Sequence, residues 1–101
     1  MIQFKKLTND VLIEVGLERV RQDSKWGIQR HPIGVWLAIL GEEFGEVCQA
    51  AQSYLKLVSS KETDADDLYT ELIHVAAVAS AIAEQVLEMR EQNEEETAQK
   101  D

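Results

Sequence analysis

The stretch "GEEFGEVCQAA", residues 41–51, carries three glutamates, Glu42, Glu43 and Glu46, between strongly apolar flanks. The chain has one Pro and five Gly in 101 residues and no alternating strand pattern, which predicts an all-α fold. The quoted stretch then lies near the middle of a long helix. The presence of three glutamates in the middle of an apolar helix requires an explanation, because burying a charge without a partner is costly.

The helix around these glutamates is predicted to run from about Pro32 to Val58, before a polar turn "SSKE" at 59–62. Apolar residues recur along it at steps of three and four and form a main seam: Leu37, Leu40, Phe44, Val47, Ala51, Tyr54 and Val58. A second stripe beside this seam is acidic only in its centre and is expected to be partly buried: Trp36, Ile39, Glu43, Glu46, Ala50, Ser53 and Leu57.

A third helix is predicted to follow, because Thr63 and Asp66 are similar to a capping box. Its main seam consists of Leu68, Leu72, Val75, Ala79, Ile82, Val86 and Met89. Its second stripe places ionisable groups beside small or apolar neighbours: Asp67, Glu71, His74, Val78, Ala81 and Gln85. Residues 1–90 are expected to form the domain, and the acidic tail at 91–101, "EQNEEETAQKD", is expected to fray.

A first helix is predicted from about Thr8 or Asn9, which are suited to an N-cap, to about Asp23. The connection "SKWGIQRHPIG" at 24–34 contains Gly27 and the chain's proline, which interrupt helical periodicity. We expect an antiparallel bundle of three to four helices. Since so short a chain buries a small core, we also expect an oligomer.

The net negative charge of the chain limits the kinds of molecule that it is expected to bind. A formal net charge of −9 argues against binding to nucleic acid or to an anionic membrane surface, because like charges repel. The opening residues lack the apolar stretch of a signal peptide, and the longest apolar run, "VAAVA" at 75–79, is far shorter than the roughly 18 residues of a membrane span. The single Cys48 is interpreted as a small core residue in a reducing compartment. These observations predict a soluble, cytoplasmic protein.

Antiparallel packing of the second and third helices brings their acidic stripes together. In such a hairpin Glu46 lies at the level of Glu71, and Glu43 at the level of His74, within about one turn. Carboxylates gathered in partly desolvated surroundings repel one another unless they take up a proton or a cation. Oxygen ligands suit Mg²⁺ or Mn²⁺, so the stripes predict a metal site. The alternative is a solvated acidic face without a metal.

Two glycines, Gly41 and Gly45, flank the acidic residues, although each costs about 1 kcal/mol relative to Ala inside a helix. They indicate that another backbone or a ligand comes close, or they are tolerated without functional meaning. Glu42 points away from the main seam. It is expected to contact a second metal, a partner chain or solvent.

The same residues resemble a known family. "EEFGE" at 42–46 matches the E-E-x-x-E signature of the all-alpha nucleoside triphosphate pyrophosphohydrolases, the MazG-like superfamily. "ELIH" at 71–74 lies where that family has E-x-x-D, and "KWGIQRHPIGVWLAIL" at 25–40 resembles its tryptophan-containing segment. The resemblance covers residues 18–84. It implies a homodimer or homotetramer and Mg²⁺-dependent hydrolysis of a nucleoside triphosphate to the monophosphate and pyrophosphate.

By position, the resemblance implies metal binding by three carboxylates, those of Glu43, Glu46 and Glu71. His74 takes the place of an Asp ligand and is the main departure from the family pattern. A neutral imidazole binds Mg²⁺ poorly and Mn²⁺, Fe²⁺ or Zn²⁺ better, so His74 changes the preferred metal or the activity. The alternative is that His74 bonds a neighbouring carboxylate without touching metal. Asp67 is a candidate to compensate.

Phosphoanhydride hydrolysis needs neutralised phosphate charge and an aligned water, and bound metals do both. Glu42, Glu43 and Asp67 are the candidates to accept the proton of the water. The connection before the second helix offers an aromatic face, an amide and two cations as a nucleotide clamp: Trp26, Gln29, Lys25 and Arg30. In the alternative, Trp26 is a lid on the bundle and the cations are solvated, and Trp36 is expected in the core.

Two other functions fit parts of the sequence. "ELIH" is also a Glu-x-x-His of the kind found in di-iron carboxylate bundles, which use two such motifs. The long apolar seams alone are typical of a non-catalytic oligomerisation module, which needs no metal.

Overall fold

The computed structural model describes residues 3–56 and 67–100. They form three α-helices, with no strand in these two ranges: α1 (Lys6–Trp26), α2 (Ile33–Tyr54) and α3 (Leu68–Lys100). The predicted all-α class is confirmed. The second helix ends at Tyr54 rather than at the predicted Val58, because the chain turns at Leu55 and at Lys56, whose φ is 55°. The predicted polar turn at 59–62 and the Thr63 capping box lie outside the described residues.

Helix α1 is longer than predicted at both ends. It begins before Thr8, because Lys6 and Asp10 form an ion pair of 2.7 Å, one turn apart, that ties its first turn. It ends at Gly27, whose φ of 76° lies in the left-handed region and whose N–H donates to the carbonyl of Asp23 at 2.8 Å. A glycine adopts this conformation without the steric cost that a Cβ brings.

Helix α3 packs against both α1 and α2. The core cluster joins Trp36 of α2 to Val78 and Ala81 of α3, and partly buried aliphatic side chains surround it: Ile39, Leu40 and Ile82. Trp36 at the start of α2 lies beside Val78 and Ala81, whereas Glu43 and Glu46 further along α2 lie beside Glu71 and His74, which come earlier on α3. The two helices therefore run in opposite directions. Small side chains on α3 let the indole of Trp36, 3% exposed, fill the space between the helices.

The main apolar seams are not the buried sides of α2 and α3. On α2, Leu37 and Phe44 are 56% and 58% exposed, and on α3 Leu72 is 49% exposed. The second stripes supply most of the buried side chains instead: Trp36, Ala50, Glu71, Val78, Ala81 and Gln85. The expected burial is therefore confirmed for these six residues, including Trp36, and the single chain leaves its main seams largely open. At the ends of the second stripes Ser53 and Asp67 are exposed, and Leu57 lies outside the described residues.

The interpretation of Cys48 as a core residue is wrong, because Cys48 is exposed on the outer side of α2. A Cβ added at Gly41 or at Gly45 would meet no atom within 4 Å, so no other backbone of the described residues comes close to either glycine. This agrees with the alternative that the two glycines are tolerated without functional meaning.

The acidic tail continues α3 as far as Lys100 rather than leaving the helix after Met89. Six of the eleven residues at 91–101 are Glu or Gln, which have high helix propensity. The 33 residues of α3 span about 50 Å, so the molecule is elongated, with extents of 63 × 35 × 23 Å.

By length and composition alone, α3 contains one stretch apolar enough to cross a membrane, within Leu68–Gln99. A single helix of this kind is weak evidence, since the central helix of a soluble bundle has the same character. In this structure α3 is the helix against which both others pack.

Candidate metal centre and adjoining cleft

Four side chains from the two second stripes converge beside the core. One carboxylate oxygen each from Glu43, Glu46 and Glu71 and one ring nitrogen of His74 all lie within 4.8 Å of one another. The residues of each helix are three positions apart, so both side chains of a helix point to the same side. The predicted convergence of the two acidic stripes is thus present in the structure.

The cluster is withdrawn from solvent by different amounts. Glu71 is 2% exposed, and its Oε2 lies 3.5 Å from Nδ1 of His74. Glu43 and Glu46 are partly buried. The Oε2 atom of Glu43 is buried and, within residues 3–56 and 67–100, has no hydrogen-bond partner. A buried carboxylate oxygen in this condition loses its hydration without a replacement, which is costly.

The environment of Glu43 disfavours its ionised form. Burial raises the pKa of Glu43 above its ordinary value, and the neighbouring charges of Glu71, Glu42 and Glu18 raise it further. His74 acts in the opposite direction and lowers the pKa of Glu43. The metal-free site therefore disfavours the charged form of Glu43.

The donor set fits a divalent cation. Donors on opposite sides of one Mg²⁺ or Mn²⁺ lie about 4.2 Å apart, so the widest separation of 4.8 Å needs a movement of only a few tenths of an ångström. Three carboxylates supply hard oxygen donors and compensate the ionic charge. The imidazole favours Mn²⁺ over Mg²⁺, since nitrogen ligands suit transition metals. The buried Oε2 atom of Glu43 gains a partner when a cation is bound.

Two acidic residues singled out from the sequence lie outside this cluster. Glu42 is exposed on α2 and is not one of the four converging donors. Asp67 begins α3 as a cap: its Oδ1 accepts from the N–H of Thr70 at 2.9 Å, and its Oδ2 accepts from the Thr70 hydroxyl at 3.2 Å. Capping occupies both oxygens of Asp67, which explains why it does not join the cluster.

A cleft of about 290 Å³ adjoins the cluster. It lies between α1 and α2, and α3 forms its floor; the lining residues are Glu18, Gln22, Trp26, Gln29, Trp36, Ile39, Glu43, His74 and Val78. Its walls combine two indole rings and two amides with the edge of the acidic cluster. Its volume is at the lower end of that of small-molecule sites.

The four residues predicted to contact substrate are in different environments. Trp26, 57% exposed, and Gln29 line the cleft. The ammonium of Lys25 lies 4.7 Å from the centre of the Trp26 ring, which is a cation–π distance, but Lys25 does not line the cleft. Arg30 bonds Glu84 at 3.0 Å and Glu88 at 3.1 Å on α3, so its guanidinium is engaged away from the cleft.

A buried amide fixes the connection that carries Trp26 and Gln29. Oε1 of Gln85 accepts from the indole N–H of Trp36 at 2.7 Å and from the backbone N–H of His31 at 3.1 Å. Its Nε2 donates to the carbonyl of His31 at 2.7 Å. The rings of His31 and Trp36 also meet edge to face at 4.8 Å. Gln85, 8% exposed, thereby ties the residues before α2 to α3.

Sequence reasoning did not assign roles to Glu18, Gln22 or Gln85. Gln85 had a signal, because it is an amide at the end of an otherwise small or apolar stripe. Glu18 and Gln22 had none, since they share the polar face of a helix whose orientation toward α3 the pattern leaves open.

No family model, curated protein or solved structure gives a significant match to this chain. The arguments for its function are therefore those of the residues and their geometry.

Proposed function

We propose that this protein is a metal-dependent nucleoside triphosphate pyrophosphohydrolase that produces a nucleoside monophosphate and pyrophosphate. The observation that carries the proposal is the convergence of Glu43, Glu46, Glu71 and His74 within 4.8 Å beside a cleft. The order of these residues also fits the resemblance of "EEFGE" and "ELIH" to the MazG-like superfamily.

Glu43, Glu46, Glu71 and His74 would hold the metal. A bound divalent cation supplies neutralisation of phosphate charge and lowers the pKa of a bound water. Glu43 is the better placed candidate for proton acceptance, because it lines the cleft. Glu42, the other catalytic candidate, is exposed on α2, where it contributes negative charge near Glu43.

We infer Mn²⁺ as the better cofactor and Mg²⁺ as a weaker one. Mg²⁺ prefers an all-oxygen shell, whereas one donor of this cluster is an imidazole nitrogen. The di-iron alternative requires a second Glu-x-x-His motif, and the sequence of one chain has a single one, at 71–74.

The cleft supports binding of the base and sugar next to the metal. Trp26 offers an exposed aromatic face for stacking, and the amides of Gln22 and Gln29 offer donors and acceptors at the same opening. Lys25 and Arg30 remain candidates for contact with phosphates. Arg30 would first have to leave Glu84 and Glu88, so its contribution is expected to be the smaller one.

The open main seams support assembly with a second copy of the chain. They place large apolar side chains such as Phe44 and Leu72 in solvent, 58% and 49% exposed, in a chain of net charge −9. Two such chains repel unless an apolar contact outweighs the repulsion.

We expect light scattering to give a dimer or tetramer. Phe44→Asp with Leu72→Asp should give a monomer, whereas Leu7→Asp, on the exposed start of α1, should not.

Pyrophosphate release from a panel of ribo- and deoxyribonucleoside triphosphates, with Mg²⁺ or Mn²⁺, tests the enzymatic proposal. The wild type should release pyrophosphate with Mn²⁺ at least as fast as with Mg²⁺. Glu43→Ala with Glu71→Ala should lower turnover by more than about 100-fold, since even residues behind the ligands contribute 10- to 100-fold in metal sites. Helix content should remain.

Glu91→Ala is the matched control for this experiment. It removes one exposed carboxylate from α3, remote from the cluster, and should leave turnover unchanged. A fully active Glu43→Ala, Glu71→Ala double variant would exclude the cluster as the site. No pyrophosphate from any nucleotide with either metal would remove the enzymatic proposal itself.

A further inference from the structure

We propose that Glu18 of α1 is a positioning residue for His74, fixing its imidazole so that Nδ1 faces the metal and Nε2–H faces Glu18. This inference deepens the metal centre of the proposed function and rests on it. It assigns to α1 a part in a site whose ligands all come from α2 and α3.

The imidazole of His74 lies between two carboxylates on opposite sides of the ring. Nδ1 is 3.5 Å from Oε2 of Glu71, which belongs to the metal cluster. Nε2 is 3.9 Å from Oε2 of Glu18, which comes from the facing helix α1. One ring nitrogen thus faces the converging donors, and the other faces away from them. Only one of the two can be the ligand to the same ion.

The carboxylate of Glu18 is held in place before any metal is considered. Its Oε1 accepts from Nε of Arg21 at 2.8 Å, and its Oε2 accepts from the amide of Gln22 at 3.1 Å. Its side chain is 13% exposed, and that of His74 is 26% exposed. A carboxylate fixed by two donors of its own helix and turned toward α3 is built to receive a proton donor from there.

The chemistry of metal-bound histidine explains what Glu18 does. A neutral imidazole has one N–H and one bare nitrogen, and only the bare nitrogen binds a metal. A carboxylate that accepts the N–H fixes the tautomer and makes the other nitrogen a stronger ligand. The present 3.9 Å exceeds a hydrogen bond, so the two side chains must come closer together for Glu18 to accept the N–H of His74.

The tautomer of His74 in the metal-free protein tests the proposal directly. In NMR spectra of protein labelled with ¹⁵N-histidine, two imidazoles give signals, those of His31 and His74. A His31→Gln variant identifies which signals belong to His74. At about pH 8.5, where an ordinary imidazole is neutral, wild-type His74 should carry its proton on Nε2. Glu18→Leu should shift the proton toward Nδ1, which lies 3.5 Å from the carboxylate oxygen Oε2 of Glu71. Glu18→Gln keeps a carbonyl acceptor and should largely restore the wild-type tautomer.

Binding of Mn²⁺, followed by electron paramagnetic resonance of the free ion, gives the second readout. Glu18→Leu should weaken Mn²⁺ affinity about 10-fold, as loss of a carboxylate behind a histidine ligand does. Glu14→Leu removes a carboxylate one turn earlier on the same helix and should change neither the tautomer nor the affinity.

His74 protonated on Nδ1 in the wild type, or an unchanged tautomer in folded Glu18→Leu, would overturn the proposal. The tautomer of His74 in the wild type still tests the proposal if Glu18→Leu does not fold. Absence of Mn²⁺ binding in the wild type would instead end the metal centre of the proposed function, and the metal-free tautomer would still establish whether Glu18 orients His74.

Discussion

Helix α3 carries two groups of acidic side chains whose electrostatic surroundings are opposite. Near its start, Glu71 and His74 lie beside Glu43 and Glu46 of α2, and the four donor atoms are within 4.8 Å of one another. About 20 Å further along the helix, Glu84 receives Arg19 at 2.9 Å and Arg30 at 3.0 Å. The pKa of Glu43 is raised, first by burial, whereas that of Glu84 is lowered, first by the hydrogen bond from Arg19.

This contrast separates a structural role from a functional one. Arg19 and Arg30 compensate the negative charge of Glu84 within the chain, so no bound cation is needed there. Glu43 is partly buried and its Oε2 has no hydrogen-bond partner within residues 3–56 and 67–100, although burial makes compensation of a charge more necessary. A ligand of opposite charge would supply that compensation. Three experiments test the contrast between Glu43 and Glu84.

The largest effect is expected from the metal itself. A cation that binds only the folded protein stabilises it by about 2.7 kcal/mol when its free concentration is 100 times Kd. We expect a melting temperature that rises with Mn²⁺ in the wild type and in Glu84→Gln, but not in Glu71→Gln. Thermal unfolding with EDTA, with Mg²⁺ and with Mn²⁺ measures the change in melting temperature of each variant. Equal shifts in Glu71→Gln and the wild type would show that the ion binds elsewhere.

Neutralising Glu43 should stabilise the metal-free protein, by about 1 kcal/mol at neutral pH, because it removes a half-buried charge among like charges. The raised pKa sets the sign: the wild type loses stability as pH rises from the unfolded pKa of about 4.3 through the folded pKa. Urea unfolding of Glu43→Gln and the wild type in EDTA should therefore converge at acidic pH. A less stable Glu43→Gln at neutral pH would contradict the reasoning.

The smallest effect, with the opposite sign, is expected at Glu84. Its lowered pKa means that the carboxylate contributes stability above the unfolded pKa of about 4.3, and that this contribution is lost as pH falls through the folded pKa. Since Glu84 is 48% exposed, solvent screens the pairs, and Glu84→Gln should cost less than about 1 kcal/mol at pH 7. The same urea series measures it, and the exposed Glu91→Gln is its control.

The periodicity of α2 and α3 predicted both helices and the level at which Glu43, Glu46, Glu71 and His74 meet. Such predictions succeed because spacing along a helix fixes which side chains share a side. The roles of Glu18 and Gln85 were not predictable in this way. Their partners are 56 and 49 residues away, at His74 and Trp36, and no local pattern encodes so distant a contact.

Helical repeat and composition were enough to predict an all-α chain, two partly buried acidic stripes and the height at which these stripes face each other. The exposure of the main apolar seams follows only from the packing of the three helices. The packing of Trp36 against the small residues of α3 turned the acidic stripes inward and left the more apolar seams outward. Hydrophobicity alone would predict that the main apolar seams are buried, because it measures the tendency of a side chain to leave water but not which surfaces fit together.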